Sequence, residues 1–487
     1  MPAHIRLNYC SIHRGRNFII AIFTCGLGHI GLAADFFTPV EAIHTGSIAS
    51  AVATGDLNHD GRTDVAIVTT QFADPENDSK TQIFLQNSQG KLTLAAKYPG
   101  GTGESVAVAD VNGDGLDDVI VPTQFGLAVL TQNQGHTLNS AITYSDSNSA
   151  LRVAVGDFNH DGLNDVAALS WGSNQVSVFL QQSDHTLGSA RHYEALHAGY
   201  DDLKVGDVTG DGLDDIVVMS GELYAVPNFS VLVQKATGDF EDAVGHSLGG
   251  DFITHAIAIG PIDSDSGNGV AISTWATSAE IAYFKQNSQS QLVRDSDLNA
   301  QSAYAMQFGD VDQDGLKDLI GAGPDNNIQV LLRQAAGGFA SPVTVTLPYS
   351  LPLNPHGLAL GDVDGDGKTD IVMAGHDSGL LVLHSLKSTS PKPSPADRSA
   401  PRVRVSGGNR QHTKFPFVIL HGTAFDNRKV RRVEVRSVDR DYRRASGTLP
   451  TWYSLLDLKP GRNTFFVRAI DNAGNRSRPR RVVVISD

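Results

Sequence analysis

Short apolar runs recur along most of this chain, each bounded by Gly, Asp or Asn. Residues 65–68, 119–121 and 216–218 are uninterrupted apolar runs, the pattern of strands covered on both faces. Runs of this kind follow carboxylate-rich loops, and further short runs precede the loops, as at residues 51–54, 106–109 and 153–155. A third run comes later in each unit (81–86, 175–180, 328–332), and a fourth lies at 91–98 and 338–347. The pattern predicts four-stranded units whose first two strands are joined by an acidic loop.

The loops set the period. They read DLNHDGRTDVAIV from Asp56, DVNGDGLDDVIV from Asp110, DFNHDGLNDVAAL from Asp157 and DVTGDGLDDIVV from Asp207. They continue as DVDQDGLKDLIG from Asp310 and DVDGDGKTDIVM from Asp362, with an eroded copy, PIDSDSGNGVAI, from Pro261. Successive starts are 54, 47, 50, 54, 49 and 52 residues apart. A unit of about fifty residues is one four-stranded propeller blade. The expected fold class is all-β: a seven-bladed β-propeller over residues 35–386, followed by an Ig-like β-sandwich. The last unit ends after its third strand, and residues 35–43 resemble residues 337–345 of a fourth strand. The N-terminal segment is therefore expected to complete the last blade and remove the open edges of the ring.

Within each intact loop, positions 1, 3, 5 and 9 carry oxygen-bearing side chains, position 6 is Gly, and position 7 would offer its carbonyl. The candidate ligands are Asp56, Asn58, Asp60, Arg62 and Asp64 in the first loop, and Asp110, Asn112, Asp114, Leu116 and Asp118 in the second. The third offers Asp157, Asn159, Asp161, Leu163 and Asp165; the fourth offers Asp207, Thr209, Asp211, Leu213 and Asp215. The sixth has Asp310, Asp312, Asp314, Leu316 and Asp318, and the seventh Asp362, Asp364, Asp366, Lys368 and Asp370. Hard oxygen donors packed this closely suit Ca²⁺, and Gly supplies the turn that wraps the ion. Zinc is disfavoured for want of clustered His or Cys. The fifth loop has Pro261 and Gly269 at positions 1 and 9, so about six calcium sites are expected.

These loops resemble those of the VCBS/FG-GAP repeat family, the propeller type also found in integrin α-subunits. The resemblance covers roughly residues 35–388 and implies a calcium-bearing propeller.

Charge divides the chain. Residues 1–396 hold 18 Lys+Arg against 45 Asp+Glu, net −27, whereas residues 397–487 hold 20 against 8, net +12. Six calcium ions would bring the first region to −15, so its acidity does not call for a basic partner, and nucleic acid is excluded. Residues 1–34 have a basic start, an apolar stretch and small residues before Asp35, the pattern of an export signal. Both cysteines, Cys10 and Cys25, lie inside it, leaving no disulfide and no transmembrane span in the mature chain. The expected location is secreted: extracellular, periplasmic or cell-surface.

Residues 387–399 are a Pro/Ser-rich linker. Residues 400–487 alternate like strands and resemble bacterial immunoglobulin-like domains, with Val433, Val435, Trp452, Phe466 and Val467 as expected core. Arg432 and Arg436 share the opposite face, a solvated surface or a contact to an acidic envelope.

No HExxH or GxSxG motif is present, and the P-loop-like GDGKT at 365–369 is surrounded by aspartates that would repel phosphate. The turns opposite the calcium loops carry Phe72, Phe125, Trp171, Tyr224 and Trp275, candidates for stacking on a sugar or anchoring a protein. The function expected is a non-enzymatic binding or adhesion protein for an extracellular glycan or protein ligand. The alternatives are a carbohydrate-active enzyme, lyase or hydrolase, and a structural assembly component.

Overall fold

A computed structural model describes residues 36–486, apart from 71–73, 75, 102, 171–172, 197–201, 221–226, 249–252, 262–266, 276–280, 288–290, 299, 352–353, 377, 387–400, 426–429, 439–441, 446–450 and 472–475. The expected export signal and linker lie outside the described residues.

Among the described residues, seven antiparallel four-stranded sheets follow one another along the chain. The first is Ala49–Gly55, Asp64–Thr69, Lys80–Gln86 and Leu92–Pro99. The innermost strands neighbour one another in a closed cycle, the first sheet touching the last. In the seventh sheet, Leu358–Gly361, Asp370–Gly375 and Gly379–Leu383 are completed by Glu41–Ile43 from the N-terminal side. Glu41 pairs with Val382 and Ile43 with Leu380, and Phe37 bridges Ser385.

The hydrophobic core is divided into wedges. A separate apolar cluster fills each gap between consecutive sheets; Ala51, Val68, Val119 and Leu130 lie between the first and second. Val52, Ile67, Val372 and Val382 lie between the seventh and first. Second strands are therefore buried along nearly their whole length, as in Asp64–Thr69, because a neighbouring sheet covers each face. Outer strands such as Leu92–Pro99 have no such cover and are mostly exposed.

Residues 402–486 form two further sheets. Arg402–Val405, Phe417–Phe425 and Thr451–Asp457 make a three-stranded sheet. Arg410–Thr413, Arg480–Ser486, Gly461–Asp471, Val430–Ser437 and Arg443–Arg444 make a five-stranded one. Val403, Leu420 and Trp452 of the first pack with Val433, Val435, Phe465 and Val467 of the second, giving a sandwich core. The expected core is corrected at one place. Phe465 is buried, while Phe466 faces outward beneath the Arg436 guanidinium, 4.9 Å from its ring centre. Neighbours in a strand face opposite sides, so Phe466 and Val467 cannot both point inward.

No helix among the described residues is long and apolar enough to cross a membrane.

Candidate metal loops and an axial polar cluster

Each intact loop is pinned at both ends. Position 2 is an apolar anchor driven into a wedge: Leu57, Val111, Phe158, Val208, Val311 and Val363 are at most 3% exposed. Position 9 is a fully buried aspartate whose oxygens accept two backbone N–H groups. Asp64 takes Leu57 N at 2.9 Å and Gln86 N, at the end of the third strand, at 2.8 Å. Asp118, Asp165, Asp215, Asp318 and Asp370 repeat this pair of bonds.

The turn between these pins also recurs, the fourth loop lacking only the position-5 amide bond to position 1. Asp56 accepts the amides of Asp60 (3.0 Å) and Gly61 (2.8 Å), and Asp60 accepts that of Arg62 (3.0 Å). Position 6 has φ between 80° and 87° in all six loops. A Cβ there would meet nothing within 4 Å, so Gly is required for its left-handed backbone and not for space. Position 4 is also left-handed, as in His59, His160 and Gln313. His59 stacks on His136 in the turn between the third and fourth strands of the next sheet, with centroids 5.9 Å apart.

Backbone amides of the turn consume some carboxylate lone pairs and aim the others into the loop, an arrangement that fits a hard cation. Asp310, Asp312 and Asp318 bring oxygens within 4.8 Å of one another, as do Asp362, Asp364 and Asp366. Burial pushes Asp64, Asp118 and Asp318 up to about 7, and Asp165 and Asp215 up to about 6, against the pull of the two N–H bonds. Neighbouring loop carboxylates add to the rise. A buried acid in that condition is short of positive charge.

In the eroded unit, residues 262–266 lie outside the described set. Gly269 replaces the position-9 aspartate, and the buried Tyr283 hydroxyl occupies the space where its Cβ would extend, donating to Gly260 O at 2.8 Å. The sequence signal, a Tyr among the apolar residues of that third strand, was readable only with the fold in hand.

A second polar assembly lies at the other end of the inner strands, where they begin. His356 meets Ser105 Oγ through Nδ1 (3.0 Å) and Asp202 Oδ1 through Nε2 (3.1 Å). Lys204 Nζ is 3.4 Å from Asp202, while Arg152 and Asn354 both bond Glu104. These residues come from the second, third, fourth and seventh sheets, so the cluster spans the inside of the ring. Burial pushes Asp202 up, but Lys204, His356 and the Ile257 amide outweigh it and hold the carboxyl down at about 2. Burial holds His356 down at about 4, so it is neutral. A Ser–His–Asp set of this kind would suggest acyl transfer if open. Here Ser105 and Asp202 are wholly buried and Ser105 Oγ accepts the Val153 amide at 3.2 Å, so the set acts as a brace. Sequence reading missed it, because its members carry no common motif.

Of the candidate ligand-face aromatics, Phe72, Trp171 and Tyr224 lie outside the described residues. Trp275 ends the strand Gly269–Trp275. Phe125 is 66% exposed between Asp118–Thr123 and Gly126–Leu130. On the sandwich, Glu434 ties Arg432 (2.8 Å) to Arg468 (2.7 Å), while Arg436 on the same face lies over the Tyr442 and Phe466 rings.

The family model described as FG-GAP-like repeat matches residues 56–121, 157–218 and 310–373. The chain is similar to mouse (Mus musculus) integrin alpha-IIb, 26% identical over 189 residues, covering 32% of this chain and 18% of that protein. It is also similar to Drosophila melanogaster integrin alpha-PS5, 27% identical over 207 residues, covering 36% of this chain and 21% of that protein. The chain thus spans about a fifth of the length of these relatives. A solved structure of an Agrocybe aegerita lectin that recognises non-reducing terminal N-acetylglucosamine aligns with TM-score 0.47 and 16% identity, covering 68% of this chain and 87% of that one. A protein from Lactobacillus plantarum aligns with TM-score 0.44 and 15% identity, covering 62% and 85%. With the repeats matched in three places and the sheets arranged in a ring, the chain is an FG-GAP-repeat propeller.

Proposed function

We propose that this chain is an exported calcium-binding propeller that acts as a non-enzymatic binding or adhesion protein for a glycan or protein ligand. The observation that carries this reading is the acidic-loop frame, repeated with the same pins and turn in six loops whose repeats resemble those of integrins. Calcium would supply the positive charge that the buried position-9 carboxylates lack. Exposed Phe125 supports a ligand face opposite the loops. The burial of Ser105, His356 and Asp202 weighs against hydrolysis at that set. In this reading the basic sandwich, Ig-like in its sequence, serves as spacer or envelope contact. A glycan array run beside a polysaccharide-degradation screen tests the proposal. Binding without turnover is expected; turnover would replace this reading with the enzymatic one.

A further inference from the structure

The seventh loop differs from the others at the residue preceding the third-strand amide that caps position 9. That residue is Leu85, Thr131, Leu180, Val233 or Leu332 elsewhere and His384 here. Its Nδ1 lies 3.4 Å from Asp364 Oδ2 and 3.3 Å from Asp370 Oδ2. The three donor atoms all fall within 4.8 Å of one another. Ligand atoms about 2.0–2.2 Å from a tetrahedral Zn²⁺ stand roughly 3.3–3.5 Å apart, the separation of Nδ1 from each carboxylate oxygen. The other ring nitrogen, Nε2, faces Glu41 Oε2 at 3.5 Å. A carboxylate on the far nitrogen is the usual partner of a metal-bound imidazole, fixing its tautomer and orientation.

Asp364 lines an open groove between the first and seventh loops, together with Arg62, Gln86 and Gly365. The buried Gln86 amide oxygen beside Gly365 has no hydrogen-bond partner, but Gln132, Gln181 and Gln234 repeat this in other sheets, so it belongs to the repeat and not to this loop alone. Asp366, on the outer side, is engaged by the Lys368 ammonium, which leaves the inner set as the stronger donor group.

We propose that the seventh loop is a mixed histidine–carboxylate site. It takes a borderline divalent ion such as Zn²⁺ through Asp364, Asp370 and His384, whereas the five other intact loops take hard cations only. Imidazole adds a donor that Zn²⁺ and Co²⁺ favour and Ca²⁺ does not. Glu41 belongs to the strand that completes the seventh sheet, so the ion would fasten the ring at its seam. The inference rests on reading the acidic loops as cation sites.

The test uses the full chain after chelation, with Co²⁺ as a visible-absorption probe and Ca²⁺ calorimetry on the same samples. One Co²⁺ equivalent with a nitrogen-ligated spectrum is expected. His384→Leu, which installs the residue found in sister sheets, should lose that spectrum and keep Ca²⁺ binding at the other loops. Glu41→Gln should weaken Co²⁺ about 10-fold or more while circular dichroism stays unchanged. An identical Co²⁺ spectrum in wild type and His384→Leu overturns the proposal and leaves the calcium reading intact. Loss of Ca²⁺ binding everywhere with the Co²⁺ signal retained does the reverse.

Discussion

The two ends of the inner strands solve the problem of buried charge in opposite ways. At the loop end, Asp64, Asp118 and Asp318 are buried among other acids and pushed up to about 7. At the starting end, Asp202 is more deeply buried yet held down at about 2, because Lys204 and the Ile257 amide face it. One end carries its own counter-charge; the other leaves a place for one. The axial cluster therefore belongs to the fold itself, whereas the loop face, on the calcium reading, would take its counter-charge from a bound ion.

The largest effect should come from removing the ion. Each occupied site stabilises the fold by about 2.7 kcal/mol at a hundredfold excess over Kd. Chelation at pH 8 should lower Tm by well over ten degrees on calorimetry, and an unchanged Tm would remove the distinction between the two ends. Next comes Asp202→Ala, which leaves the buried His356 ring nitrogen and Ile257 amide without their acceptor and should cost about 1–3 kcal/mol for each in urea unfolding. Calcium stoichiometry should stay the same; a fall would mean that the ends are coupled.

The pH dependence sharpens the contrast. Without calcium, the folded loop aspartates hold protons that the unfolded chain releases between about pH 4 and pH 7. Their contribution to stability is present at low pH and lost as pH rises through that window. His356 resists protonation down to about 4 whereas the unfolded residue takes a proton near 6.5, so the axial contribution is lost as pH falls. Bound calcium should reverse the loop slope and release protons at pH 6, measurable by calorimetry in two buffers of different ionisation enthalpy. Equal heats in both buffers would contradict it. The smallest effect is expected from Tyr283→Phe, about 1–3 kcal/mol for the stranded Gly260 carbonyl, with calcium binding unaltered.

Local repetition made the propeller legible. The acidic positions and the apolar second strands are each written within a dozen residues of sequence, and their recurrence sets the period. The axial brace is not, since Ser105, Asp202 and His356 are joined only by the curvature of the ring. His384 escaped notice because its register against the loop is set by strand pairing, and Phe465 was passed over for Phe466 by a single step of alternation.

The pairing of Ile43 with Leu380 also has a consequence in time. A ribosome adding about 5–20 residues per second needs roughly 20–70 s to make the intervening chain. Throughout that interval six sheets can assemble in order, while the strand Glu41–Ile43 waits for the last strand of the ring. Until they meet, the nascent molecule presents a raw edge at each end, and whatever escorts it must keep those edges apart from those of its neighbours.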